Sequence, residues 1–489
     1  MRDLRVHPAS TEEDLGLPLP ESPHACSVCL PSWSSVVGYE ESRDKVMRRL
    51  RAGYPRFIRN PLVERLTSAA ASELCSDGEE LFLFPTKVGA QRAQRWIERN
   101  AKEAARSSAY HDFQAVIVSR KTAPLAIEYQ RLTGELVSSR MAEDHLNGGL
   151  RTGTKRHLLQ RRLATIYSAE QTHVSVFASG MSGVAAVIRS LPGVAAGRKT
   201  LQLEFPYVDS LKVQERVGNG VVFLNETEGE SFDEALRRIR RGEFAAVFTE
   251  VPSNPLLRCP DLPRVSEACR EGGTPLVVDD SSVGPSNVKV LPWADVVTCS
   301  LTKWLSGTGD VMGGVVVVRS DSEFADELAP AIRQESESTA PMYVGDAQVM
   351  LSNLKGYPAR MAKPNENALQ LVGLLQAHPA VAEVWHPSIV HRERYKAVMA
   401  PKGGFGALLS FALKAPKRTP RFFDKLGLTK GPSFGTPFTL VCPYVMLAHY
   451  RELDWAEGCG IPRHLIRVSC GDESFDFLKE VFEQALKVA

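Results

Sequence analysis

The sequence predicts an α/β protein: a large domain built on a mostly parallel sheet, followed by a smaller C-terminal α/β domain. Two observations predict it. Between residues 149 and 345, short apolar runs bounded by turn residues alternate with amphipathic segments, the pattern of strands buried on both faces and covered by helices. In addition, 489 residues exceed the roughly 250–300 at which single cores stop growing, so the chain has length for two or three domains.

Residues 1–148 read as an N-terminal extension packed on the main domain. They open on a proline-rich acidic stretch (Pro18, Pro20, Pro23) and continue through helix-like Val63 to Leu74 and Val88 to Ala105. No catalytic constellation stands out there. In the large domain, 149–345, the runs Val174 to Ala178, Thr200 to Phe205, Ala245 to Thr249, Leu276 to Val278, Val296-Val297 and Gly314 to Val318 read as strands. Phe232 to Arg241 and Arg264 to Arg270 read as helices between them. In the C-terminal domain, 346–489, helices are expected at Asn365 to Leu375 and Phe475 to Leu486, with strands at Ala407 to Leu413 and Leu465 to Ser469.

Composition narrows the function classes. Lys+Arg 59 against Asp+Glu 57, with 43% hydrophobic and 24% charged residues, is ordinary for a globular protein and points to no nucleic-acid partner. The basic clusters at 47–51 and 237–241 read as solvated helix faces. No apolar run approaches the roughly 20 residues of a membrane span. Nine cysteines, an odd number without framework spacing, fit free thiols in a reducing compartment, and a cytoplasmic location is expected. Cys26 and Cys29 have metal-like spacing but no second pair, so no metal is expected. The sequon at Asn225 reads as a chance match.

The chemistry gathers where strands end. In such sheets ligands sit at the carboxyl ends of the strands. Lys303 lies just past Val296-Val297, among small hydroxylated residues and glycines, and Asp279 closes the run Leu276 to Val278. A buried carboxylate needs a positive partner. A pyridinium nitrogen would be one, and a Schiff-base lysine needs an aldehyde cofactor whose ring accepts electrons; together they suggest pyridoxal 5'-phosphate. Ser179-Gly-Met-Ser-Gly183 follows a strand and opens a helix, an anion site for the phosphate, and Ser300 and Thr302 add hydroxyls beside Lys303.

These residues resemble the pyridoxal-phosphate-dependent enzymes of cysteine and methionine metabolism, of the aspartate-aminotransferase-like fold type I. The likeness is carried by Ser179-Gly-Met181, Glu250-Val-Pro-Ser-Asn-Pro255, Val278-Asp279, Ser300-Leu-Thr-Lys-Trp304, Asp310-Val-Met-Gly-Gly314 and Leu465-Ile-Arg-Val-Ser469. Gly53-Tyr-Pro-Arg-Phe57 and Pro443-Tyr-Val-Met-Leu-Ala-His-Tyr450 extend it towards fungal cystathionine γ-synthase-like proteins.

The resemblance implies that Lys303 carries the cofactor and moves protons, and that Asp279 pairs with the ring nitrogen. It implies that Ser179, Gly180, Met181, Ser300 and Thr302 hold the phosphate, Tyr207 stacks on the ring with a catalytic part, and Asn254 sits by the ring hydroxyl. Arg467 would grip the substrate carboxylate, with Ser433 beside it. Two departures matter. Where relatives carry a Tyr-x-Arg pair that reaches a neighbour's phosphate, this chain reads Asn147-Gly-Gly-Leu-Arg151, leaving Arg151 without the tyrosine. Phe438 falls where a carboxylate is common near the amino-acid site.

The reaction so implied is γ-replacement on an O-acyl-L-homoserine, with O-acetyl-L-homoserine favoured. It would pass through a vinylglycine-type intermediate, and a small nucleophile (a thiol, or an amine or carbon nucleophile in specialised metabolism) would then add. A γ- or β-lyase is the alternative, and a non-catalytic cofactor-binding homologue a further one. A homodimer or homotetramer is implied as well.

Overall fold

The structure, a computed structural model, describes residues 2–489. Three sheets organise it. The first is a small antiparallel sheet of β1 (Glu79–Phe84), β2 (Arg106–Tyr110) and β3 (Phe113–Ser119), in the order β1-β3-β2. The second has seven strands: β4 (Val174–Phe177), β5 (Thr200–Leu203), β6 (Val221–Leu224), β7 (Val247–Glu250), β8 (Leu276–Asp279), β9 (Val296–Ser300) and β10 (Gly314–Val318). Their order is β4-β10-β9-β8-β7-β5-β6. Only β10 runs against its neighbours, so β4, β5, β7, β8 and β9 all end at one edge.

The sequence pattern explains this sheet. Val315 to Val318 are all buried, as are Leu276 to Val278 and Val296 to Cys299, so these strands show as unbroken apolar runs. One face packs on helices Gly180–Ser190 and Ala325–Ser338 through Val184, Ile188, Leu328 and Ile332 against Phe248, Val277 and Val316. The other face merges into the main core, which reaches the C-terminal layer. Strand β6, which sequence patterning passes over, lies half-buried at the open edge.

The third sheet holds β11 (Val381–Trp385), β12 (Leu408–Leu413), β13 (Thr429–Lys430), β14 (Leu440–Pro443) and β15 (Ile466–Ser469), in the order β11-β12-β15-β14-β13. It is antiparallel except for β13 with β14. Helices Ala362–Ala377 and Phe475–Leu486 support it. The boundary expected at 345 falls inside the helix Val344–Asn353, and the one at 148 in a glycine loop before the helix Lys155–Tyr167.

The extension is two structures rather than one. Residues 61–146 form a small α/β unit, with helices Pro61–Leu74, Lys87–Ala101 and Ala123–Thr133 on the β1-β3-β2 sheet. The helix expected to reach Ala105 stops at Ala101, because Lys102 turns into the left-handed region (φ 54°). Residues 2–60 form a strap across the C-terminal sheet. Lys430 N–H donates to Ala9 O, and Leu30 N–H donates to Lys430 O. The Lys430 ammonium is fully buried and donates to Pro31 O (2.9 Å) and Asp424 O (3.1 Å).

Candidate active site

A cavity of about 610 Å³ lies at the edge where the parallel strands end. Each strand contributes one piece. After β4 the chain enters the helix Gly180–Ser190, whose first two residues, Gly180 and Met181, line the cavity and have N–H groups without an intrahelical partner, an anion-binding end. A Cβ on Gly180 would meet the Ser300 Cβ at 3.0 Å, so glycine permits this close approach. Tyr207 follows β5; Glu250 ends β7 and Asn254 follows it. Asp279 closes β8, Ser300 closes β9 and Lys303 follows it; all line the cavity.

Lys303 is buried, and its Nζ donates to Ser433 Oγ at 2.8 Å. The rings of Tyr54 and Phe434 lie 4.6 and 4.8 Å from it. Burial, and then the positive charge of Arg467, lower its amine to about 7. A free amine near neutral pH is what attack on an aldehyde requires.

Asp279 accepts from Ser281 N–H (2.9 Å) and from the Thr298 hydroxyl (2.8 Å). Burial raises its carboxyl above the ordinary range, and among the described residues it forms no ion pair. On the neighbouring register position of β7, Glu250 accepts from Tyr207 N–H at 2.7 Å. Burial, followed by the nearby Asp279, pushes the Glu250 carboxyl well up. Two carboxyls thus lie together, and a cation between the strand ends would suit the pair.

Arg467, on β15, is buried with its guanidinium 4.7 Å from the centre of the Tyr444 ring. It donates to Asn254 Oδ1 (3.1 Å) and Ser433 O (2.9 Å), and Asn254 donates to the Tyr444 hydroxyl at 3.2 Å. Ser433 holds φ at 97°, a strained conformation that turns its hydroxyl to the lysine and its carbonyl to the arginine.

Three expectations, for Ser179, Thr302 and Phe438, are corrected. The Ser179 hydroxyl caps the helix at Ser182 N–H and donates to Gly134 O, so it stands behind the cavity wall. The Thr302 hydroxyl is tied to the backbone of Gly313 and is likewise outside the cavity. Arg151, expected to serve a neighbour's phosphate, is no part of its own chain's cavity; it lies at the surface, paired with Asp144 at 2.8 Å. Phe438 packs with Leu4, Ala9, Leu19 and Cys29 beneath the strap, so it does not replace a charge at the amino-acid site.

The extension, expected to be chemically silent, supplies Tyr54 and Arg56 to the cavity. Arg56 is buried; it donates to Asp209 (2.6 Å), to the Tyr207 hydroxyl and to Arg131 O. Arg131 pairs with the same aspartate at 2.8 Å. The Tyr-x-Arg spacing of Tyr54-Pro55-Arg56 was the available signal. Burial pushes the Tyr207 phenol well above its usual value despite the opposing charge of Arg56, so it stays protonated. Cys26 and Cys29 are free and buried, each thiol donating to a backbone carbonyl, His24 O and Ala9 O respectively.

A buried lysine, a carboxylate lacking a cation, an anion-binding helix end and a guanidinium converging at the sheet edge define an enzyme that binds a phosphorylated aldehyde cofactor and an amino acid. The comparisons specify the class. Residues 140–487 match the family described as Cys/Met metabolism PLP-dependent enzyme; the chain belongs to that family, and its cofactor is pyridoxal 5'-phosphate.

The cystathionine gamma-synthase of Neurospora crassa is 30% identical, over 97% of this chain and 98% of that one. An L-2-amino-4-chloropent-4-enoate dechlorinase/desaturase of Streptantibioticus cattleyicolor is 31% identical, over 96% and 97%. Among solved structures, cystathionine gamma synthase from Xanthomonas oryzae pv. oryzae, in complex with aminoacrylate and cysteine, is similar with TM-score 0.61 and 28% identity. The match covers 69% of this chain and 86% of that one.

Proposed function

We propose that the protein catalyses γ-replacement on an O-acyl-L-homoserine, with O-acetyl-L-homoserine as the preferred donor. The observation that carries this reading is that Lys303, its amine lowered to about 7, lines one cavity with Asp279 and Arg467. Similarity to proteins named cystathionine gamma-synthase supports the reaction type.

In this reading Asp279 holds the ring nitrogen, and Gly180 and Met181 present N–H groups to the phosphate. When bound, the cofactor supplies an electron sink for the substrate's α-carbon. Arg467 binds the carboxylate with its planar fork. Lys303, once free, takes the α-proton and is near enough neutral to return it. Tyr207 stacks on the ring. We assign the phosphate-clamping cation to Arg56: it is bonded to Arg131 O, and Gly134, three residues on, packs against Ser179 and Met181. Ser300 completes the phosphate side. A dimer or tetramer in the cytoplasm is the working assembly we infer from the family resemblance, and no helix is long and apolar enough to cross a membrane among the described residues.

The test is incubation of the purified protein with O-acetyl-L-homoserine and a panel of thiol, amine and β-keto-acid nucleophiles, read by product mass. A condensed amino acid is expected. Formation of 2-oxobutanoate and ammonia alone, whatever nucleophile is present, would establish a lyase instead. Lys303→Ala should lose about 10²–10⁴-fold in turnover; full turnover in that variant would remove the assignment of the lysine.

A further inference from the structure

The cavity is lined by a histidine that the assignment above does not use. His449 follows the helix Tyr444–Ala448, is 1% exposed, and lines the cavity. Its Nδ1 stands 3.0 Å from Glu452 Oε1, and Glu452 Oε2 is 3.3 Å from Lys212 Nζ. The hydrogen bond from His449, reinforced by Lys212, holds the Glu452 carboxyl below its ordinary range. An ionised carboxylate can only accept, so Nδ1 carries a hydrogen towards Glu452, and in the neutral ring the lone pair is then on Nε2.

Among the described residues no group hydrogen-bonds Nε2. The rings of Phe205, Trp455 and Tyr444 surround the imidazole, with centroids 5.1, 5.8 and 5.9 Å away. A buried acceptor left unbonded costs about 1–3 kcal/mol. Packing alone would be served as well by another apolar ring in that aromatic cage. Tyr444 also touches Arg467 and Asn254, so His449 lies one ring beyond the residues of the expected amino-acid end.

We propose that His449 is the base that receives the proton of the incoming nucleophile, that Glu452 is its positioning residue, and that the nucleophile is a thiol. The proposal rests on the γ-replacement reading. A thiol fits because its usual pKa, near 8.5, is within about two units of imidazole, whereas an ammonium is further away. In the step, the S–H bond breaks and its proton goes to Nε2. The sulfur pair forms the bond to Cγ of the β,γ-unsaturated amino acid, and the Cβ=Cγ pair shifts towards Cα. Nothing is oxidised or reduced, and the imidazolium sits against Glu452.

Two measurements test it. In the cofactor-free protein with ¹⁵N-labelled histidine, His449 should be neutral with its hydrogen on Nδ1, and Glu452→Gln should lose that preference; hydrogen on Nε2 in the unaltered protein overturns the proposal. In the holoenzyme given O-acetyl-L-homoserine and L-cysteine, His449→Gln should lower the ratio of thioether product to 2-oxobutanoate by about 10- to 100-fold, and Glu452→Gln should lower it less. An aromatic thiol already ionised at the assay pH should restore most of the ratio in His449→Gln, because it needs no base. An equal loss with both thiols makes His449 structural and overturns the proposal. If the unaltered enzyme makes no thioether with either thiol but condenses an amine or carbon nucleophile, the thiol assignment fails while γ-replacement stands; if no nucleophile is incorporated, the γ-replacement reading fails; a wrong tautomer alongside thioether formation defeats only the role of His449.

Discussion

Lys303 is an ammonium in water and close to a free amine in this cavity, and that difference has a sign that can be measured. Its ordinary value of 10.5 falls to about 7 in the fold. Between those two values the unfolded chain binds the additional proton, so this residue makes the cofactor-free protein more stable as pH rises from 7 towards 10. Below pH 7 the full penalty of a buried charge is present. Lys303→Met should therefore be the more stable protein at pH 6.5, by an amount on the order of a few kcal/mol, with the gap closing by pH 9.5; parallel melting curves at the two pH values would count against it. Ser433 gives a second prediction. Its φ of 97° costs about 1–3 kcal/mol in a residue with a side chain, yet it carries the hydroxyl that meets Lys303. Ser433→Gly should raise the melting temperature while lowering turnover. A fall in both would mean that the conformation is not strained.

At the scale of elements, the strap and the loop before β14 hold the site in shape. Gly435, at φ 83°, packs directly on the backbone of Lys303 and Trp304; an added Cβ would come within 2.7 Å of the Lys303 carbonyl carbon. The strap is fastened by the buried ammonium of Lys430. Lys430→Met leaves the Pro31 and Asp424 carbonyls without that donor, at roughly 1–3 kcal/mol each. It should speed proteolytic cleavage within residues 2–60 and weaken cofactor binding, because Tyr54 and Arg56 belong to the same segment; unchanged cleavage would show that the strap is fastened elsewhere. What could be read in the sequence follows the same division. The strands from Val174 to Val318 were legible because burial on both faces leaves continuous apolar runs, and β6 was not, because its edge position leaves it half-exposed. Lys303 and Asp279 were legible from local strand ends, and Arg467, inside β15, only through the family resemblance. Arg56 and Phe438 were misjudged because their surroundings are set by distant chain: Arg56 meets Asp209 across 153 residues, and Phe438 meets the strap. No local pattern reports such contacts.

At the scale of the whole molecule, the question is which cation completes the phosphate site, and from which copy of the chain. Arg151 is 46% exposed and bonded to Asp144, a surface pair worth at most about 1 kcal/mol, so its own cavity gains nothing from it. Arg56 is buried against Tyr207 and Asp209 at the cavity wall of the same chain. If Arg56 holds the phosphate, the cavity is complete in that respect within one chain, and a second copy contributes assembly rather than this contact. Arg56→Lys, which keeps the charge but loses the planar fork, should then weaken cofactor binding about tenfold, while Arg151→Ala should change it less than about threefold. The opposite ranking would point to a neighbour's arginine, and mixing distinguishes that case. Arg151→Ala and Lys303→Ala chains, denatured and refolded together, regain activity only if the arginine of one chain serves the lysine of the other. With Arg56 acting within its own chain, the mixture should show no more activity than the Arg151→Ala protein it contains.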